Sequence, residues 1–280
     1  MTGVCESGGV NIHYLRTGGS KPPVILLHGL TGSGACWSPL ARLLEDAFDV
    51  VMPDARGHGK SGTPLHGYGY DNHAGDVPTL MRELGLASPV LLGHSMGGMT
   101  AALVASRAGA AIGGVILVDP TFLSPQFQRE VYDSDAAEQH RRLLSLSRHE
   151  VLADMRARHP HRSAEMIELM VDARLQTRMS AFEVLKPPNP DYRRLVGTIR
   201  APTLLVIGDI KAGAVVSPET AQELQGLNPR LRVEQVQGAG HGLPHDQPEH
   251  LGALVRSFLA SAGQPQAGHG MAGDAPQRRQ

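Results

Sequence analysis

Leu91-Leu92-Gly93-His94-Ser95-Met96-Gly97-Gly98 is the stretch whose reading decides the fold. An apolar run from Pro89 to Leu92 leads into Gly-x-Ser-x-Gly, and a small-residue run of helical length follows from Met99 to Ala108. Strand, sharp turn and helix form the context in which this pentapeptide is a nucleophile elbow rather than a chance match in a glycine-rich chain. A serine at the tip of so tight a turn takes a strained backbone conformation. Gly93 and Gly97 flank it because a β-carbon at either place would collide with the turn or with the neighbouring strand. Ser95 Oγ then stands clear of the sheet, and the first amides of the helix point toward a reacting oxygen.

Outward from the elbow, short apolar runs alternate with helical patterns. Val10 to Leu15, Val24 to Leu27 and Asp49 to Met52 read as strands before it, and Trp37 to Leu44 has helical spacing. Asp71 or Asn72 caps a helix that reaches Leu84 and stops at Gly85. After the elbow, Gly114 to Val118 is a strand ending in Asp119-Pro120. Residues 121–200 then contain no convincing strand, only amphipathic patches such as Met166, Ile167, Leu169, Met170 and Ala173. Acidic and basic residues nearly balance in this segment, so its arginines read as solvated helix faces. The alternation restarts with a strand at Thr203 to Ile207, a helix at Pro218 to Leu227, a strand at Leu231 to Val236 and a helix at Pro248 to Ala262. Strands alternating with helices predict an α/β fold, a mostly parallel sheet covered by helices on both faces. The all-helical insertion predicts a cap over the carboxyl ends of the strands, where open α/β sheets carry their sites. The expected organisation is a core of residues 1–120 and 201–262, a helical cap at 121–200, and a disordered tail at 263–280 rich in Gly, Pro, Gln and Ala.

Composition narrows the function. The chain has 280 residues and a formal net charge of −1. That is no electrostatic case for nucleic acid or an anionic membrane surface. Two cysteines, Cys5 and Cys36, imply neither a disulfide framework nor a metal site. With no signal-like start and no apolar run of spanning length, the default is a cytoplasmic protein, and a homodimer is compatible with it. The glycines of the elbow are not a dinucleotide fingerprint, since their spacing differs and serine occupies the tip. No phosphate-loop lysine follows, and no cofactor or metal is called for. The partner expected is a small-molecule substrate.

Five motifs in order carry a resemblance. They are His28-Gly29 after a strand, Asp54-x-Arg-Gly-His-Gly-x-Ser61, Gly93-His-Ser-Met-Gly97, Val118-Asp119-Pro120 and Gly240-His241-Gly242. Together, from Val10 to Ala262, the chain resembles the α/β-hydrolase superfamily, in particular its capped small-molecule serine hydrolases. A serine hydroxyl needs a base at neutral pH, and His241, in a glycine-flanked loop after the last strand, fits that role and the chain order of this fold. His245 is a weaker rival. The resemblance places the acid in many members about three residues beyond a glycine after the strand that follows the cap, where this chain has Lys211 beside Asp209. Other capped hydrolases, some cleaving amides or lactones, carry it where this chain has Asp119. Asp119 is the preferred acid and Asp209 the fallback. The resemblance also implies an oxyanion hole from the amides of Met96 and Leu30. His28, Asp54, Arg56 and His58 read as scaffold. Met96, Met99, Met166, Met170 and Met179 are candidates for an adaptable pocket lining or for core packing.

The activity implied is cleavage of a small carboxylic ester or lactone through an acyl-enzyme. Two alternatives remain open. One is hydrolysis of a C–N bond in a ring-opened aromatic metabolite, which would want cationic or amide groups in the cap to hold substrate carboxylates. The other is a cofactor-free lyase or oxygenase reaction on the same residues. A binding module without turnover is the third, weaker, option.

Overall fold

The computed structural model describes residues 1–262, and the tail expected at 263–280 lies outside the described residues. The elements run, in order, β1 (Thr2–Ser7), β2 (Val10–Arg16), β3 (Pro23–Leu27), α1 (Ser38–Leu44), β4 (Asp49–Pro53), α2 (Tyr70–Glu83), β5 (Val90–His94), α3 (Met96–Ala108) and β6 (Gly114–Val118). The insertion carries α4 (Pro125–Tyr132), α5 (Ala136–Leu143), α6 (Arg148–Arg158) and α7 (Ala164–Gln176), and then α8 (Tyr192–Thr198). The chain closes with β7 (Thr203–Ile207), α9 (Pro218–Leu227), β8 (Leu231–Gln235), α10 (Leu243–Asp246) and α11 (Pro248–Ala262).

Eight strands form one sheet in the order β1-β2-β4-β3-β5-β6-β7-β8. β1 and β2 pair antiparallel, β2 meets β4 antiparallel, and every other pair is parallel. The central strands are buried along their length because helices cover both faces. Their side chains still sort by the two-residue period of a strand. Ile25, Leu91, Val115, Leu117, Leu205 and Ile207 face one core, with α2, α3, α8 and α9. Val24, Leu92, Ile116, Val118, Leu204 and Val206 face the other, with α1 and α11. β1 was not anticipated: Thr2-Gly3-Val4-Cys5-Glu6-Ser7 has little apolar alternation, and its strand conformation comes from pairing with β2.

Serine and aspartate caps start the helices of the insertion. Ser124 and Ser163 each accept from a backbone amide three residues on, and Ser147 with Glu150 forms a full capping box. α6 and α7 pack on each other around Val151, Met155, Met166, Ile167, Met170 and Val171, a core separate from those of the sheet. α7 lies on the turn Gly34–Trp37, and Arg42 pairs with Glu165 at 2.7 and 2.8 Å across that contact. α8 packs instead on α3 and α9, so residues 192–198 sit in the layer beside the sheet.

Candidate active site

At the carboxyl end of β5 the chain turns through Ser95 at φ 56°, ψ −120°, the conformation of a strained elbow. A β-carbon on Gly93 would lie 2.1 Å from the carbonyl oxygen of Gly97, and one on Gly97 would lie 2.1 Å from that of Leu27. Both glycines are therefore steric requirements of the turn. The Ser95 amide donates to Val118 O at 3.2 Å, which ties the elbow to the end of β6. The residue directly after β6 is Asp119, also at positive φ (38°), with its amide bonded to Val206 O of β7 at 2.8 Å.

The structure brings Ser95, His241 and Asp119 into one hydrogen-bonded chain. His241 Nε2 lies 2.9 Å from Ser95 Oγ, and its Nδ1 lies 2.6 Å from Asp119 Oδ2. With Nδ1–H donating to the carboxylate, Nε2 is free to accept from the hydroxyl, the tautomer a general base needs. Asp119 is fully buried, and its carboxylate also accepts from the amides of Val215 (2.9 and 3.1 Å) and Val216 (2.9 Å). The loop after β7, which carries the fallback Asp209, thus supplies amides to the carboxylate that directly follows β6.

Asp209 is not brought to the imidazole. It accepts from the Gly238 amide at 2.5 Å and from Gln235 Nε2 at 2.9 Å, toward solvent. His245 makes no hydrogen bond to Ser95; it packs edge-on against His94 with ring centroids 5.7 Å apart. His94 Nε2 donates to the His241 carbonyl at 2.7 Å and so holds the histidine loop against the elbow. Gly29 brings the His28-Gly29-Leu30 loop close to the elbow, since a β-carbon there would sit 3.1 Å from Ser95 Cβ. Leu30 lines the chamber at Ser95, and Met96 opens α3 just after the serine. His28 Nδ1 bonds Gly29 O at 2.8 Å and its Nε2 accepts from the Ala55 amide at 2.9 Å, a loop-holding role. Asp54 gathers the Gly34 and Lys60 amides and His13, while Arg56 pairs with Asp76 at 2.7 and 2.9 Å.

A chamber of about 210 Å³ opens at Ser95, lined by Leu30, Trp37, His94, His159, Met170 and His241 among others, and it adjoins a wider cleft of about 780 Å³ beneath α5 and α6. Of the five methionines considered, Met170 lines this chamber. Met96 and Met99 pack in the core of the sheet, and Met166 packs in that of the cap. Two cap arginines also reach the chamber, Arg162 and Arg174. This corrects the expectation that the cap arginines are solvated. Most are, but Arg174 follows Met170 by four residues and Ile167 by seven, on the buried face of α7. That spacing was the signal in the sequence for it.

Several histidines at the site and deeper in the fold are buried, His94 in the chamber wall beside a half-buried His245, and His58 and His73 away from the chamber. Burial pushes His73 and His245 down to about 3 and drives His94 and His58 well below the usual imidazole range. An unfolded histidine titrates near 6.5, so on acidification the unfolded chain takes up protons that the folded state refuses. The stability these groups contribute is full above about pH 6.5 and is lost as pH falls toward 3. A melting temperature that declines steadily between pH 7 and pH 5, above the main carboxylate range, is the expected result. A flat profile there would contradict these assignments.

Sheet order, elbow and inserted helices define an α/β hydrolase, and the sequence pattern of the alpha/beta hydrolase fold matches residues 22–248. The chain belongs to that family. It is 32% identical to N-formylmaleamate deformylase of Pseudomonas putida, over 92% of this chain and 96% of that one. It is 28% identical to 2-(acetamidomethylene)succinate hydrolase of Mesorhizobium japonicum, over 88% and 90%. Among solved structures, an N-formylmaleamic acid deformylase from Pseudomonas putida S16 superimposes with a TM-score of 0.76 at 25% identity, covering 91% of this chain and 99% of that one. The enol-lactonase of Burkholderia xenovorans LB400 shares the fold, with a TM-score of 0.75 at 24% identity over 92% and 100%. No helix among the described residues is long and apolar enough to cross a membrane.

Proposed function

We propose that this chain hydrolyses a carbon–nitrogen acyl bond of a small acyclic substrate through an acyl-Ser95 intermediate. The observation that carries this reading is the chain Ser95 Oγ, His241 Nε2, His241 Nδ1, Asp119 Oδ2, at 2.9 and 2.6 Å, opening into a covered chamber. His241 takes the serine proton as Oγ attacks the carbonyl carbon. The amides of Leu30 and Met96 receive the developing oxyanion. His241 then protonates the leaving nitrogen, and the nitrogen-bearing fragment departs. Water, deprotonated by His241, attacks the acyl carbon and releases the carboxylic acid and free Ser95. Asp119 orients the imidazole and stabilises its charged form without taking the proton.

The ester or lactone expected from the sequence gives way to an amide on the strength of two relatives of nearly full length. Both are named for substrates with an acyl–nitrogen bond, N-formylmaleamate and 2-(acetamidomethylene)succinate. An ester carries the same carbonyl and a better leaving group, so the same residues act on it too. The test is a comparison of kcat/KM for those two amides with that for p-nitrophenyl acetate, following release of formate from the first, acetate from the second and nitrophenolate from the ester. Higher kcat/KM for one of the amides is expected. Turnover of the aryl ester and neither amide would return the assignment to an ester or lactone.

A further inference from the structure

The arginines of the cap differ in one respect. Arg141, Arg142, Arg148, Arg156, Arg158 and Arg162 each hold a carboxylate. Among the described residues Arg129, Arg178, Arg194 and Arg200 hold none, and neither does Arg174, but Arg174 is the arginine whose Nε is buried without a hydrogen-bond partner. Its side chain reaches the chamber beside Ser95. Arg162, the other arginine there, is already committed to Asp246 at 2.6 Å, and no Asp or Glu lines this chamber. A guanidinium does not escape the cost of burial by losing its proton, so it calls for an anion. Burial first, then the neighbouring Arg158 and Arg162, hold Arg174 below its ordinary pKa; the nearby Asp154 works against them, but its carboxylate is held by Arg158 at 2.8 Å rather than by Arg174.

We propose that Arg174 is the anchor for a substrate carboxylate, which makes the chamber selective for small acyl compounds bearing an acidic group away from the scissile carbonyl. The planar fork of its N–H donors matches a carboxylate in two parallel hydrogen bonds. The chamber of about 210 Å³ has room for a chain of a few carbons between that anchor and Ser95. Trp37 Nε1 and His245 Nδ1, also buried without partners, belong to residues of the same wall. The assignment of which end of the ligand reacts rests on the hydrolase reading above; binding of the carboxylate does not.

Two measurements test this separately. The first compares p-nitrophenyl hydrogen succinate with neutral p-nitrophenyl butyrate in the wild type, Arg174→Gln and Arg174→Lys. Loss of a charge-assisted pair predicts a fall of about 10- to 100-fold in the ratio of their kcat/KM values in Arg174→Gln, with partial recovery in Arg174→Lys. Equal losses on both esters, or an unchanged ratio, would overturn the anchor. The second is calorimetric binding of succinate, neutral succinamide and inorganic phosphate to the Ser95→Ala protein, with and without Arg174→Gln. Succinate binding tightest, and weakening in the double variant, is expected. Succinamide or phosphate binding as well as succinate would overturn a carboxylate subsite. If Arg174→Gln does not fold, Arg174→Lys and the wild-type comparison of succinate with succinamide decide the matter. Absence of any Ser95-dependent turnover with succinate still bound through Arg174 would sink the hydrolase reading and leave the subsite standing.

Discussion

Replacing Ser95 with alanine is expected to lower turnover of whichever amide or ester the enzyme cleaves by about 10⁴- to 10⁶-fold. The change removes one oxygen and with it the covalent route, because no acyl-enzyme forms without Oγ. What remains is the activity of the oxyanion amides and of bound water, which serine hydrolases stripped of a triad member retain at a low level. The variant keeps its fold, since alanine meets the same positive φ at position 95 that serine does and the hydroxyl bonds only His241. Parallel circular dichroism would establish that. Mass spectrometry of the wild type quenched during turnover should show the acyl adduct on the peptide containing Ser95, and none in the variant. Residual activity within tenfold of wild type would mean that His241 acts on substrate or water directly. The cofactor-free lyase or oxygenase alternative would then become the better account.

The second large effect is Asp119→Asn, for which a fall in kcat of about 10⁴-fold is expected. The buried amide keeps the shape of the carboxylate and can accept from the Val215 and Val216 amides. It no longer offers His241 a charged acceptor. The imidazole loses both the bond that selects its Nδ1–H tautomer and the charge that stabilises the imidazolium. Asp209→Asn is the matched control. Its carboxylate is bonded to Gly238 and Gln235 rather than to His241, so kcat should stay within about threefold of wild type. Measured side by side, the two variants decide the acid. A large loss in Asp209→Asn with a small one in Asp119→Asn would overturn the assignment.

The elbow was legible because its requirements are local. Three consecutive constraints, strand into turn, positive φ at Ser95 and close backbone approach at Gly93 and Gly97, all lie within a few residues and leave a fixed pattern of glycines. The parallel sheet was legible for a similar reason, since buried strands of Val, Ile and Leu need no partner to be recognised. β1 was not, because its conformation is supplied by β2 and not by its own residues.

The choice of acid illustrates a different limit. Asp119 and Asp209 both follow the carboxyl ends of neighbouring parallel strands, and only the resemblance to other capped hydrolases favoured Asp119 over Asp209. Asp119 lies beside a histidine that is 122 residues further along the chain, on amides from a loop nearly a hundred residues away. Arg174 is the same kind of case. Helical spacing put it on the apolar face of α7, but a helix sequence does not say what that face meets. The amino-acid sequence by itself determined the parallel strands and the elbow with Ser95 at its tip, because backbone strain and hydrophobic period are properties of adjacent residues, whereas His241 was found through the chain order of the resembled family. The sequence preferred Asp119 to Asp209, and the tertiary structure put the Asp119 carboxylate on the histidine and brought Arg162 and Arg174 to the chamber. Hydrogen bonds and uncompensated charge are set by distances between segments that sequence order does not contain.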